Sequence, residues 1–308
     1  NPHSTNPTSM LSTELLDEAR EAVINFFNAD DYYCIFTQNA SMALHLVAES
    51  YPFENNGHYL YCIDNHNSVN GIREYCSRNG GSHSYFTVNF DDLSIANDEL
   101  LSKLSESKAQ NKLLAFPAQS NVSGVKHNLN YIKIAKELGW DVILDAAAFV
   151  PTSILDLKEH QPDFVSVSFY KIFGYPTGIG CLLVKKSSFE KLKKRWFAGG
   201  TVNLVSAKTP YFYLAENHER FENGTVNYLG IPAIKIGLDY IREIGMQRIN
   251  ERVNSLMTYL HKNMKLLEHS NGICQVNIFG PSDRKNCGGT MIMTFNNPDG
   301  SKIQFEKI

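Results

Sequence analysis

The spacing of hydrophobic and polar positions along this chain switches repeatedly between two periods. In "STELLDEAREAVINFFNA" (12–29) apolar residues recur at helical spacing, with Ser12 expected as N-cap and Glu14 and Asp17 in the first turns. "YYCIFT" (32–37) then reads as a short strand. The alternation continues with helix 41–51, strand 58–64, helix 68–80, strand 82–89, helix 97–107, strand 112–119, helix 128–139 and strand 141–148. Further strands are expected at 163–169 and 178–184. Strands alternating with helices imply βαβ units and an α/β fold with a mostly parallel central sheet flanked by helices. Near-continuous apolar strands such as "VILDAAA" fit burial on both faces. In such sheets ligands gather beyond the carboxyl ends of the strands, so residues with chemistry should fall just after strand patterns.

After about residue 230 the pattern changes. Residues 231–270 read as a long helix broken near Gly245, and strands follow at 272–280 and 289–296. The expected division is a large domain over 1–245 and the start of a smaller α+β domain over 246–308. Both ends read as cut, so the smaller domain is expected to be incomplete.

Composition narrows the class. With 308 residues, 43% hydrophobic and 20% charged, the chain is ordinary for a globular protein. A net charge of −3 and a pI near 6.4 give no nucleic-acid footprint. No apolar run approaches the roughly 20 residues of a membrane span. The six cysteines form no CxxC pair, which argues against a zinc site and a disulfide framework and makes a reducing, cytoplasmic setting the expectation.

Polar residues collect at the predicted strand ends. Asp145 follows "DVIL"; a carboxylate in an apolar run needs a cation or donors, and either a salt bridge, a cap or a bound protonated nitrogen would serve. Lys171 follows "DFVSVSFY" and reads as a turn lysine or as a desolvated Schiff-base nucleophile. "SFYKIFGYPTGIG" (168–180) turns through Gly174, Pro176 and Gly178 into the next strand. His66 sits at another strand end, as a structural histidine or as a flat ring able to stack on a cofactor. "TQNAS" (37–41) opens a helix, an ordinary cap or a phosphate site made by backbone N–H groups and Ser41. Together these are the parts that hold pyridoxal 5′-phosphate.

Blocks including "FTQNASMALHLVAE", "DNHNSVNGIREY", "FPAQSNVSGV", "LDAAAFVPTSILDL", "SFYKIFGYPTG" and "RFENGT" resemble the fold-type I pyridoxal-phosphate enzymes of the class V aminotransferase group, which includes the cysteine desulfurases. Within it the chain is most similar to the N-terminal domain of the molybdenum cofactor sulfurases. The resemblance implies Lys171 as the cofactor-bearing lysine, Asp145 at the pyridine nitrogen and His66 stacked on the ring. It implies Ala40, Ser41, Ser168 and Tyr170 at the phosphate, and Asn121 near the ring 3-oxygen or the substrate carboxylate. Thr225 would reach the phosphate of the other subunit of a homodimer, with Arg220 and Asn223 in the same block. No metal ligand is implied. The implied activity is sulfur abstraction from L-cysteine, giving alanine and an enzyme persulfide, for the molybdenum cofactor or another sulfur acceptor. Other readings are a desulfurase, a C–S lyase, an aminotransferase, or a non-catalytic interaction protein on the same scaffold. Desulfurases commonly carry glutamine where this chain has Ala148, a departure shared with the sulfurases. The persulfide cysteine and the substrate-binding arginine are expected beyond residue 308. Cys287, in the polar string "NCGG", is the alternative thiol and is expected to be exposed, whereas Cys34, Cys62 and Cys181 read as small core residues.

Overall fold

The structure, a computed structural model, describes residues 2, 4–54, 56–175 and 177–304. Pro176 of the turn after Lys171 lies outside the described residues. The first helix, α1 (Pro7–Phe26), starts earlier than its apolar period suggests. Asn6 caps it by accepting from Ser9 N at 3.0 Å, and the fixed φ of Pro7 suits the first helical position. Ser12 is therefore not the cap; it lies inside the helix, where its hydroxyl donates to the Thr8 carbonyl.

The strands and helices that follow are β1 (Tyr32–Thr37), α2 (Ala40–Ser50), β2 (Gly57–Cys62), α3 (Asn67–Asn70), α4 (Ile72–Arg78), β3 (Ser82–Phe86), α5 (Asn97–Glu106) and β4 (Asn111–Pro117). Next come α6 (Asn130–Glu137), β5 (Asp141–Asp145), β6 (Phe164–Ser168), α7 (Tyr170–Phe173), β7 (Gly180–Lys185), α8 (Lys186–Phe189), β8 (Val202–Val205) and β9 (Phe212–Leu214). A 3₁₀ turn at His218–Phe221 leads to α9 (Pro232–Ile244), α10 (Met246–Met264), β10 (Val276–Phe279) and β11 (Ile292–Phe295). The helix expected over 68–80 is divided at Gly71, and the strand expected over 82–89 stops at Phe86. The long helix of 231–270 breaks at Gly245, whose φ of 89° lies in the left-handed region that glycine alone enters freely.

Seven strands form one sheet in the order β1-β7-β6-β5-β4-β2-β3. β6, β5, β4, β2 and β3 are parallel, while β7 runs antiparallel to both β6 and β1. Along each central strand, side chains alternate between two apolar layers. Leu114, Phe116, Val142, Leu144, Val165 and Val167 join the layer that includes α1 and α9. Leu113, Ala115, Ile143, Phe164, Leu182 and Val184 join the layer under α2 and α4. Burial on both faces explains why these strands read as unbroken apolar runs. β8–β9 and β10–β11 form separate two-stranded antiparallel sheets. Among the described residues no helix is long and apolar enough to cross a membrane.

Candidate active site

The carboxyl ends of β4, β5 and β6 open onto a cavity of about 360 Å³. Ala40, Ser41, His66, Asn121, Asp145, Ser168, Tyr170 and Lys171 all line it. Asn39, Gln119, Ala148, Thr177 and Gly178 complete much of the wall. Eight residues chosen from strand ends and motif positions thus meet at one place.

Asp145 is the last residue of β5 and only 8% exposed. Its Oδ1 accepts from Ala147 N at 3.1 Å and from Ser166 Oγ at 2.9 Å. No Lys, Arg or His among the described residues forms an ion pair with it. Two neutral donors offset part of the cost of burying a carboxylate and leave its charge without a counter-ion beside the cavity.

Lys171 stands on the single turn α7, which is fixed from below by apolar contacts. Phe169 and Ile172 are buried, and the rings of Phe169 and Phe173 stack at 6.2 Å. Phe173 lies so close to α9 that a Cβ on Gly237 would sit 2.5 Å from its ring. Gly174 and Gly178, at φ 83° and 76°, then turn the chain toward β7. The backbone under Lys171 is anchored, but its side chain is exposed. Desolvation, one sequence-level reason for singling this lysine out, is not what distinguishes it; its place at the cavity is.

Across the cavity stands the N-terminus of α2. Asn39 caps it, accepting from Met42 N at 3.0 Å, and Ala40 N donates to Ser168 Oγ at 2.9 Å. Ser168 thus accepts through a lone pair and keeps its own O–H as a donor. Gly180 lets this helix end come near: a Cβ there would lie 2.5 Å from Val167 O and 2.7–2.8 Å from the Asn39 backbone. Ser41 Oγ and Ser68 Oγ are hydrogen-bonded at 2.6 Å, tying α2 to α3. His66 caps α3 through Nδ1, which accepts from Ser68 N at 3.1 Å; in the neutral ring that puts the proton on Nε2.

A cluster that sequence reasoning did not single out holds the two loops bearing His66 and Asn121. Ser120 Oγ donates to Asp64 Oδ1 at 2.9 Å, and His127 Nε2 lies 3.3 Å from Asp64 Oδ2. Ser120 Oγ also accepts from Val122 N and Ser123 N, bending the chain around Asn121.

Thr225 does not join this cavity. It lines a neighbouring one of about 350 Å³ with Thr37, Gln38, Met42 and Asn223, and the two share Gly178. Its loop is held by a buried ion pair: Arg20 Nη1 and Nη2 reach Glu222 Oε1 and Oε2 at 2.9 and 3.2 Å. Glu222 Oε1 also accepts from Phe36 N at 2.7 Å. Burial pushes the Glu222 carboxyl above its usual range, with Arg20 opposing it.

Cys287 is buried, at 1% exposure, contrary to the exposure expected from its polar flanks. Its backbone bridges to Val125, so the loop folds inward against residues 124–126. Burial pushes its thiol up, away from the nucleophilic thiolate. Cys34, Cys62 and Cys181 lie buried in strands, as expected of small core residues.

Compared with known families, residues 1–305 match "Aminotransferase class-V". The chain belongs to this family. Over 343 aligned residues it is 34% identical to a molybdenum cofactor sulfurase of Solanum lycopersicum, covering all of this chain and 42% of that protein. A molybdenum cofactor sulfurase of Drosophila melanogaster is 36% identical, again over all of this chain and 43% of its own length. The chain therefore spans less than half the length of these curated relatives. Among solved structures, an apo cysteine desulfurase from Thermococcus onnurineus NA1 superposes with a TM-score of 0.83 at 27% identity, covering 96% of this chain and 71% of that one. The α/β architecture with its mostly parallel sheet is thus the fold of the class V aminotransferase family.

Proposed function

We propose that this chain binds pyridoxal 5′-phosphate and uses it to take sulfur from L-cysteine, serving sulfuration of the molybdenum cofactor. The observation that carries this reading is the buried carboxylate of Asp145 without a counter-ion, facing one cavity with Lys171, His66 and the capped N-terminus of α2. A protonated pyridine nitrogen would supply the missing cation, and the helix end with Ser41 and Ser168 suits a phosphate. The donor set fits the group.

In this reading Ala40, Ser41, Ser168 and Tyr170 hold the phosphate. Asp145 would hold the protonated ring nitrogen, with Oδ2 the oxygen left free because Oδ1 already accepts two hydrogen bonds. His66, its ring fixed through Nδ1, would cover one face of the ring, and Asn121 would meet a polar group at the rim. When bound, the cofactor supplies an electron sink for charge developing at the substrate Cα. Lys171 would hold the cofactor, and its Nζ would serve as the base that moves the substrate Cα proton. The buried, high-pKa thiol of Cys287 is no sulfur acceptor here.

The name of the desulfurase neighbour supports L-cysteine as substrate, and those of the sulfurase relatives support the molybdenum cofactor as sulfur acceptor. Thr225, exposed and outside its own chain's cavity, supports a homodimer in which it reaches the partner's phosphate site. Six unpaired cysteines support a cytoplasmic setting. The turn at Gly245 supports a large unit over 1–245 and a smaller one from 246.

The test is cofactor loading followed by borohydride. The protein should acquire a visible absorption band that borohydride removes, with the cofactor found by peptide mass on Lys171; Lys171→Ala should show no such adduct. With L-cysteine and dithiothreitol as an added thiol acceptor, the loaded protein should yield alanine and sulfide, the dithiol being oxidised to its disulfide. Pyruvate with ammonia would assign a C–S lyase instead, and failure to bind the cofactor at all would sink the reading.

A further inference from the structure

Gln119 lies two residues beyond β4, pinned to β5 by the hydrogen bond from Ala118 N to Asp145 O at 2.9 Å. The residue is 4% exposed and lines the cavity that holds Asp145 and Lys171. Its Oε1 is buried and takes no hydrogen bond. A buried carboxamide with an orphan oxygen costs on the order of 1–3 kcal/mol. The side chain is pressed into place from behind. A Cβ on Gly288 would lie 2.1–2.4 Å from the Gln119 carboxamide, so that glycine allows the two to meet face on. Gly288 is itself held, its N–H donating to Gly124 O at 2.7 Å and its carbonyl accepting from Arg284 Nη2 at 3.2 Å.

Strand order locates what the carboxamide faces. Ser168 closes β6 with Lys171 just beyond it, Asp145 closes β5, and Gln119 follows β4 on the far side of Asp145. In pyridoxal phosphate, the phosphate arm and the C3 oxygen lie on opposite edges of the line through the ring nitrogen and the aldehyde carbon. With the phosphate at α2 and Ser168 and the nitrogen at Asp145, the oxygen-bearing edge turns toward β4. There Ala147 and Ala148 present only methyl groups, and Gln119 offers an amide. We propose that Gln119 is a cofactor-contact residue, hydrogen-bonding the C3 oxygen of the ring and leaving Asn121 at the rim for the substrate. Oε1 is the end packed away from solvent, so the carboxamide nitrogen is the end left toward the cavity, where its N–H can face an anionic ring oxygen.

This inference rests on the pyridoxal-phosphate reading, and its test separates the two. Affinities of the full chain, stripped of cofactor, are measured for pyridoxal 5′-phosphate and for its 3-deoxy analogue, alongside thermal melts of the stripped protein. Wild type should prefer the natural cofactor by about tenfold, the scale of one hydrogen bond to a charged group. Gln119→Met should bind the natural cofactor about tenfold more weakly and no longer distinguish the analogue. The stripped variant should melt at the wild-type temperature or above it, because an orphan polar atom has been removed. Gln119→Glu keeps the shape, so it serves if the methionine variant does not fold; it should bind weakly at neutral pH and recover as acid protonates the new carboxyl. Undiminished preference for the natural cofactor in Gln119→Met, or pH-independent wild-type affinity in Gln119→Glu, would overturn the proposal. So would a lowered melting temperature with the preference retained. Absence of binding by wild type would instead remove the function on which it depends.

Discussion

Five of the six cysteines are buried and one, Cys274, is exposed. Burial pushes the thiol of Cys62 up to about 12 and that of Cys76 up to about 11, and it raises Cys287 as well. Alkylation needs both access and thiolate, so iodoacetamide at pH 8 should label the native chain at Cys274 alone and all six positions in denaturant. Peptide mapping reads this directly; rapid native labelling of Cys287 would contradict its packing and return it to the list of sulfur acceptors. Single residues differed in how far the sequence disclosed them. Asp145 and Lys171 stood out because a charge at the end of an apolar strand demands a partner. Gln119 did not, because one amide in "QSNVSG" is unremarkable until its burial is known. Asp64 and His127 meet 63 positions apart, a distance that no local pattern spans. The exposure of Lys171 and the burial of Cys287 ran against their flanking residues, since tertiary contacts set both.

At the scale of elements, the close fit of α2 against the sheet is the most exacting feature. Gly180→Ala would drive a methyl into Val167 O and the Asn39 backbone, and rigid backbone on both sides leaves little room to yield. The expected loss is roughly 1–3 kcal/mol, read as a lower urea midpoint, together with weaker cofactor binding as the α2 N-terminus shifts. Gly199→Ala is the control, because its new methyl meets nothing within 4 Å. Equal stability of the two variants would show that α2 does not depend on this contact. The long apolar strands and amphipathic helices were legible in the sequence within a few residues, because period and two-sided burial leave strong marks. The turns α7 and α8 were not, since four residues cannot establish a helical period. The hairpin β8–β9 was missed because its exposed aromatic residues mimic no half-buried alternation.

That hairpin matters most for the molecule as a whole. Leu204 and Tyr213 face each other across it, 64% and 65% exposed, with Val205, Tyr211 and Phe212 beside them. Exposed apolar side chains grouped like this are the kind of surface that the proposed homodimer would cover. If it belongs to the proposed homodimer, wild type should sediment as a dimer at micromolar concentration and Leu204→Asp with Tyr213→Asp as a monomer of unchanged helicity. A monomeric wild type would rule the dimer out for this chain. The antiparallel strand β7 has a different reach. It is the bridge between β6 and β1, with Tyr32 opposite Lys185 and Thr37 opposite Gly180. Among the described residues β1 pairs with no other strand of the sheet, so a segment that leaves the ribosome earlier must wait, unpaired, for one that leaves later. The same β1 carries the chain into α2, and α2 forms one wall of the cavity. The parallel strands can therefore assemble first, but the pocket closes only when the beginning of the chain is stitched back to its middle, making completion of the site a late, non-local event in folding.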